Sequence, residues 1–317
     1  MCFIYRKKIK TVKKNSINTR KKNNMIFGLI ITSPAILTIG CLYIFPVFYS
    51  FYLSFTDFNF FRASEVKIIG FKNYIDSLIS NDFIYSLKLT CTISFFSVVF
   101  EFLFGMLLAV MIYKISKRKE FFRTLLLIPM MIAPVVVGLM FRFMLNSEFG
   151  IVNTILMHIG LIKEPIGWLI SGGMAKVCII ILDIWATTPL MFLLLYAGLT
   201  MIPPELYEAA KVDGANDWQS FYKITLPLIK KIALLAILIR FMDVFRVFDS
   251  IYILTKGGPG KATESLSLLI YRTNWINYDV GRASSLSFIM VFIMLVVASV
   301  IIWLSKDHSE NKKQMMV

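Results

Sequence analysis

Four charged residues follow one another at intervals of three within an otherwise apolar part of the sequence. They are Arg240, Asp243, Arg246 and Asp249, and their charges alternate in sign. Residues three apart lie on one face of a helix, so neighbouring members of this charged ladder can form ion pairs. A single charge at the centre of a membrane-spanning helix costs about 2.5–3.5 kcal/mol. Such residues normally face the interior of a helix bundle or a water-filled cavity, and we expect the same of the ladder.

No arrangement of residues indicates an enzyme active site. The string GGPGK at 257–261 comes nearest to a nucleotide-binding loop, but Ala262 follows the lysine and no glycine lies five residues before Gly260. It is better interpreted as a turn rich in Gly and Pro. The two histidines, His158 and His308, and the four cysteines form no metal-binding or disulfide pattern. We therefore predict no catalytic residue, no metal site and no cofactor in this chain.

The elements that must position the ladder are long apolar stretches. Hydrophobic residues make up 57% of the 317 residues and charged residues 17%, whereas a soluble domain carries about 25% charged residues. A membrane-spanning helix needs about 20 mostly apolar residues, and six stretches meet this requirement: 25–53, 89–113, 124–145, 177–199, 232–255 and 283–305. Prolines in the first, third and fourth stretches permit kinks: Pro34, Pro46, Pro129, Pro134 and Pro189. The second and fourth stretches each contain one acidic residue, Glu101 and Asp183, which we interpret as hydrogen-bonded contacts between helices.

The basic residues predict how the six spans are oriented. The segments on the side of the two termini contain 21 Lys and Arg residues, and the segments on the other side contain eight. Because loops rich in Lys and Arg remain in the cytoplasm, both termini are expected there. The net charge of +15 is thus a topology signal, and nucleic-acid binding is not supported. The predicted organisation is a basic cytoplasmic tail at 1–24, a six-span domain at 25–305 and a cytoplasmic tail at 306–317.

The cytoplasmic segment between the fourth and fifth spans is predicted to form two short helices. The proline pair at 203–204 suits a helix start. Gly214 can adopt a left-handed conformation and end the first helix. Asn216 or Asp217 can cap the second helix, and Pro227 is expected to close it before the fifth span. Such a helix–turn–helix is too polar for the bilayer and is suited to contact a partner.

The same segment resembles the E-A-A coupling motif of permease subunits in binding-protein-dependent ABC importers. The motif residues are Glu208-Ala209-Ala210, Gly214, Ile224 and Leu226-Pro227, and every spacing is met. Other stretches are similar to the carbohydrate branch of that family, which includes the maltose permease subunits: FPVFYSFYLSFTDF at 45–58, GFKNY at 70–74, RTLLLIPMMIAPVVVGLMFRFML at 123–145, LTKGGPGKATESL at 254–266 and YDVGRASSLS at 278–287. The resemblance covers the chain from about Asn24 onward.

The resemblance implies both a fold and a set of partners. It implies an all-α integral membrane protein of the cytoplasmic (inner) membrane, with six transmembrane helices and a cytoplasmic helix–turn–helix coupling segment at 203–227. The partners would be a second permease subunit of similar fold, a cytoplasmic ATPase dimer that uses the ATP, an extracytoplasmic solute-binding protein and the lipid bilayer. Glu208 would make a polar contact with the ATPase, Ala209 and Ala210 would allow close approach, and Gly214 would form the turn. The coupling residues are then Glu208, Ala209, Ala210, Asp213, Gly214, Ile224, Leu226 and Pro227.

Two interpretations of the charged ladder remain open. In the first, the ladder lies on the translocation pathway and offers hydrogen bonds to sugar hydroxyls, together with nearby aromatic rings. In the second, its charges clamp this chain to a partner permease subunit. The pathway candidates are Arg240, Asp243, Arg246, Asp249, Phe245, Phe248 and Tyr252.

The function expected from the resemblance is import of a mono- or oligosaccharide. A phosphorylated polyol such as glycerol 3-phosphate is an alternative cargo, because the guanidinium groups of Arg240 and Arg246 suit a phosphate. A secondary transporter or channel is an alternative of another class. It would predict ion-coupling carboxylates and broken helices in paired halves of the sequence, and we find no such internal repeat. A membrane enzyme is a third alternative, but no clustered catalytic set supports it.

Overall fold

The fold was analysed in a computed structural model, which describes residues 27–28, 31–61, 66–114 and 119–305. Within these ranges the chain is helical, and two isolated bridges are the only strand-type pairings. The predicted tails at 1–24 and 306–317 lie outside the described residues. The helices are α1 Ile31–Leu53, α2 Lys72–Ile79, α3 Asn81–Lys114, α4 Lys119–Leu127, α5 Pro134–Met144, α6 Ile151–His158, α7 Gly172–Thr200, α8 Pro204–Val212, α9 Asp217–Ser220, α10 Leu226–Phe245, α11 Asp249–Thr255, α12 Leu266–Trp275 and α13 Val280–Ser305.

Four helices are long and apolar enough to cross a membrane. They are α1, α3, α7 and α13, with 23, 34, 29 and 26 residues. Helices α3, α7 and α13 contain the second, fourth and sixth predicted spans, and α1 covers residues 31–53 of the first. Helix α7 continues through Pro189, and α1 contains a π-helical turn at Gly40–Ile44.

The third predicted span is two helices rather than one. A 3₁₀ turn at Pro129–Met131 follows α4, and Ile132 and Ala133 are extended before α5 begins at Pro134. A proline disfavours the helical conformation of the residue before it, which explains the extended backbone of Ala133. The kink permitted by Pro129 and Pro134 is therefore a complete break.

The fifth predicted span is also interrupted. Helix α10 ends at Phe245, and the chain leaves the helical conformation before α11 begins at Asp249. A carboxylate in the first turn of α11 is favoured by the helix dipole. The 20 residues of α10 give a length of about 30 Å, which matches the hydrocarbon thickness. Its charged residues, and not its length, distinguish α10 from the four apolar helices.

Helices α3, α7 and α10 pack together as the core of the molecule. Small residues allow α3 and α7 to approach closely, since a Cβ atom added at Gly105 would lie 2.8 Å from Cγ of Met191. Helix α13 packs against α1, α2, α10 and α12. The three core helices therefore surround the first residue of the charged ladder.

Candidate functional site

A buried guanidinium joins the three core helices. Arg240 of α10 is fully buried, and its Nε donates to Glu101 Oε2 of α3 at 2.7 Å while its Nη2 donates to Glu101 Oε1 at 2.9 Å. Glu101 is itself 0% exposed. A bidentate pairing of this kind is the strongest geometry available to arginine and a carboxylate. The single acidic residue of the second predicted span is thus the main partner of Arg240.

Helix α7 contributes two further groups to this network. Arg240 Nη2 lies 3.3 Å from Asp183 Oδ2 and 3.0 Å from Thr187 Oγ1. The Thr187 hydroxyl also donates to Glu101 Oε1 at 2.8 Å. Because all these groups are buried or nearly so, each charge is compensated by a partner rather than by water. We call Glu101, Asp183, Thr187 and Arg240 the arginine clamp.

The ladder itself forms the ion pairs expected from its spacing, up to the end of α10. Arg240 Nη1 donates to Asp243 Oδ2 at 2.6 Å, and Arg246 Nη2 lies 3.4 Å from Asp243 Oδ1. Asp249 lies on the next helix and makes no ion pair within the described residues. Arg240 therefore joins three helices of its own chain, and both interpretations of the ladder, as pathway and as contact to a partner subunit, stay predictions.

Sequence reasoning treated Glu101 and Asp183 as separate contacts and did not assign them to Arg240. Thr187 was missed altogether. The available signal was that the second and fourth spans each contain one isolated acidic residue, which needs a partner when it is buried. Their pairing with Arg240 depends on which helices pack together, and the sequence pattern does not specify this.

A cavity of about 400 Å³ lies beside the clamp. Its wall includes the charged residues Asp183, Asp243, Arg246 and Asp249. The rest of the lining comes mostly from apolar side chains of α5 and the turn before it, of α7, and of the junction between α10 and α11. The Arg246 side chain is 67% exposed and that of Asp243 is 50% exposed. The outer three residues of the ladder therefore reach the cavity, whereas Arg240 is held behind its wall.

The three predicted aromatic residues have different positions. Phe248 lines the cavity, and its ring stacks on Tyr252 with centroids 5.3 Å apart. Both rings also contact Tyr271 of α12, which the sequence analysis did not select. Phe245 is buried in a separate apolar cluster with Phe83 and does not line the cavity.

The predicted coupling segment begins with α8, whose end is closed by a left-handed glycine. Gly214 has φ of +79°. The N–H of Ala215 donates to the carbonyl of Ala210 at 2.9 Å, and the N–H of Gly214 donates to the carbonyl of Lys211 at 3.1 Å. These two hydrogen bonds define a Schellman motif with Asp213 as the C-cap residue. Gly214 thus adopts the left-handed conformation expected of it, while its role in a coupling segment stays a prediction.

The second short helix differs from the prediction at its end. Asn216, rather than Asp217, caps α9 through a reciprocal capping box with Gln219. A π-helical turn at Phe221–Thr225, which contains Ile224, then leads directly into α10. Pro227 does not close the helix as expected. It lies in the first turn of α10, where a missing N–H costs least.

Helix α8 exposes both polar and apolar side chains. Glu208 and Ala209 are exposed, and Ala210 is half-buried. Val212 is 88% exposed, and Leu206 is exposed as well. The predicted contact residues Glu208 and Ala209 are therefore accessible at the surface of this chain.

Two contacts fix the coupling segment, one between its own residues and one to α3. The Tyr207 hydroxyl lies 2.9 Å from Thr225 Oγ1, which connects α8 to the start of α10. Lys114 Nζ, at the end of α3, lies 2.6 Å from Asp217 Oδ2. The hydrogen bond and positive charge of Lys114 lower the pKa of the Asp217 carboxyl below its ordinary value. The segment is therefore fixed against both α3 and α10.

Comparison with known proteins identifies relatives along most of the chain. Residues 101–312 match a family model described as the binding-protein-dependent transport system inner membrane component. The trehalose/maltose transport system permease protein MalF of Thermococcus litoralis is 37% identical over 85% of this chain and 91% of that protein. The sn-glycerol-3-phosphate transport system permease protein UgpA of Agrobacterium fabrum is 28% identical over 87% of this chain and 93% of that protein.

A solved structure has the same architecture. It belongs to a bacterial ABC transporter involved in the import of the acidic polysaccharide alginate. The chain superimposes on it with a TM-score of 0.76 and 26% sequence identity, over 90% of this chain and 96% of the other.

Proposed function

Because the chain belongs to the family of binding-protein-dependent transport system inner membrane components, we propose that it forms the pathway for a sugar. A solute-binding protein delivers the sugar, and ATP hydrolysis in a separate cytoplasmic ATPase dimer drives its movement. A second permease subunit of similar fold supplies the other half of the pathway. This chain contributes transport residues and no ATPase site.

One observation carries this proposal. The coupling segment is continuous with the helix that reaches the cavity, because α9 passes through the π-helical turn into α10. Asp217 near one end of this continuous rod pairs with Lys114, and Asp243 near the other end lies on the cavity wall. A displacement of α8 and α9 by the ATPase would therefore be transmitted along α10 to the cavity.

The charges of the cavity favour a sugar over a phosphorylated polyol. Arg240 donates to partners in its own chain and leaves no free guanidinium edge for a phosphate. Arg246 is the only basic side chain among the described residues that line the cavity, and it already faces Asp243. Asp183 and Asp249 add two more carboxylates to the wall. This excess of negative charge opposes an anionic cargo, whereas carboxylates accept hydrogen bonds from sugar hydroxyls.

The proposed topology has six crossings with both termini in the cytoplasm. The four long apolar helices supply four crossings, α4 with α5 supplies the third in sequence, and α10 with α11 supplies the fifth. Interrupted helices are tolerated at membrane depth where they line a cavity, and both breaks border the cavity. The domain at 25–305 thus contains the pathway, and residues 203–227 form the coupling segment that contacts the ATPase.

The proposal is tested with the complete transporter in proteoliposomes. The chain is reconstituted with its second permease, ATPase and solute-binding protein, and uptake of labelled maltose, trehalose and glycerol 3-phosphate is measured with and without ATP. We expect ATP-dependent uptake of at least one sugar and none of glycerol 3-phosphate. Uptake driven by an ion gradient without ATP would contradict the importer mechanism. Uptake of glycerol 3-phosphate alone would contradict the assigned cargo.

A further inference from the structure

A second cavity of about 400 Å³ lies between α1, α12 and α13. This cavity and the cavity beside the clamp share no lining residue. No charged residue lines it among the described parts of the chain, and its polar groups are hydroxyls and one amide. The residues that define it chemically are Ser50, Ser267, Tyr271, Asn274, Trp275 and Ser284. A concave site with a few uncharged polar groups is suited to a neutral ligand.

Two of these polar groups are free to bind a ligand. Ser284 is 8% exposed, and its hydroxyl has no hydrogen-bond partner within the described residues although it lines the cavity. The Asn274 side-chain amide likewise has no partner there, and it offers both donors and an acceptor. A hydroxyl-bearing ligand would satisfy both groups, whereas a purely apolar ligand would leave them unpaired.

Aromatic rings complete the lining and connect the two cavities. Tyr271 and Trp275 lie one helical turn apart on α12 and both line the second cavity. The Tyr271 ring also contacts Phe248, with centroids 5.0 Å apart, and Phe248 lines the first cavity. One ring-to-ring contact thus separates the two cavities. The flat C–H face of a sugar ring packs on aromatic rings in this manner while its hydroxyls reach polar side chains.

We propose that this second cavity is a binding subsite for a neutral saccharide unit. It lies where α1 ends and α13 begins, which is the extracytoplasmic side in the proposed topology. The subsite deepens the proposed function and rests on it, because it would receive the sugar, or one unit of an oligosaccharide, before the cavity beside the clamp does. Its chemistry distinguishes it from that cavity, whose wall is charged.

The direct test is equilibrium binding of labelled maltose to the complete transporter in nanodiscs, without ATP or the solute-binding protein. Ser284→Leu removes the hydroxyl and adds apolar bulk to the cavity wall, and Asn274→Ala removes the amide without adding bulk. The matched control is Ser299→Leu, which places the same side chain on an exposed position of the same helix. We expect both cavity variants to weaken binding by about tenfold, the loss given by one or two hydrogen bonds. The control should bind as the wild type does.

Several results would overturn the subsite. The first is wild-type affinity for maltose in both cavity variants, and the second is a wild-type complex that does not bind maltose. The third is loss of the second permease from the Ser284→Leu complex. The last would identify the cavity as a subunit interface. Loss of co-purified phospholipid with unchanged maltose binding would identify a lipid site and would equally exclude the subsite. ATP-driven uptake is measured separately, so a transporter that imports sugar without this binding would retain the proposed function and lose only the inference.

Discussion

At the scale of single residues, the arginine clamp joins the three core helices through one buried guanidinium. The sequence could predict that Arg240 pairs with Asp243, because that contact is local and follows from helix geometry. It could not predict the pairing with Glu101 and Asp183, which lie 139 and 57 positions away in the chain. Their contact exists only because α3, α7 and α10 pack around one point. Burial makes the network costly to break rather than strongly stabilising as a whole.

We expect Arg240→Met to destabilise the protein strongly, because it leaves Glu101 and Asp183 as buried carboxylates without a cation. Removing one partner of a buried ion pair typically costs about 3–5 kcal/mol. The matched control is Arg246→Met, since the exposed Arg246 pair should contribute at most about 1 kcal/mol. The measurement is the melting temperature of the purified transporter for the two variants. Equal melting temperatures in the two variants would show that the protein does not need the Arg240 cation to compensate its buried carboxylates.

At the scale of elements, local features of residues 203–227 were predicted, whereas the breaks in the third and fifth predicted spans were not. The Gly214 turn and the cap of α9 follow from local residue chemistry, which acts over a few positions. Two other features do not follow from local residue chemistry: the π-helical turn at Phe221–Thr225 and the position of Pro227 within a helix. Both depend on how α9 is joined to α10. The breaks after α4 and α10 were likewise hidden in stretches whose composition alone indicates continuous spans.

We expect Gly214→Val to distort the turn and uncouple transport from ATP hydrolysis. A β-branched residue in the left-handed region costs at least about 1–2 kcal/mol, and an added Cβ at Gly214 meets no atom within 4 Å. The effect must therefore come from the backbone and not from a clash. Gly214→Asn is the matched control, because asparagine adopts this conformation far more readily. The measurement is uptake in proteoliposomes, which Gly214→Val should lose and Gly214→Asn should largely retain. The same activity in both variants would show that the left-handed turn is not required.

At the scale of the whole molecule, the chain is a helical bundle whose basic residues predict its orientation. The helical class and four apolar helices long enough to span a membrane were evident from the apolar stretches. The third and fifth predicted spans were identified as regions but not as broken helices, because hydropathy is averaged over the prolines and charges that interrupt them. Many of the basic residues that predict the orientation lie in the two tails, outside the described residues. The orientation of the spans therefore stays a prediction from the sequence.

We expect a reporter fused after Lys313 to behave as cytoplasmic and one inserted beside Lys163 to behave as extracytoplasmic. The expectation follows from the 21 basic residues on one side and eight on the other. Each fusion is made with alkaline phosphatase and with green fluorescent protein, which give opposite signals on the two sides of the membrane. Each reporter is therefore a control for the other. Both reporters on the same side would rule out the arrangement with six crossings.

The central claim is that residues 203–227 couple this permease to a separate ATPase, and one measurement tests it most directly. Sugar uptake and ATP hydrolysis are recorded together in proteoliposomes for Glu208→Lys, with Glu164→Lys as a control at an exposed position outside the segment. Reversing the charge at Glu208 should weaken the contact with the ATPase while leaving every span unchanged. We expect Glu208→Lys to insert normally but to lose both uptake and substrate-stimulated hydrolysis, whereas Glu164→Lys should retain both. Normal coupled transport by Glu208→Lys would contradict the claim.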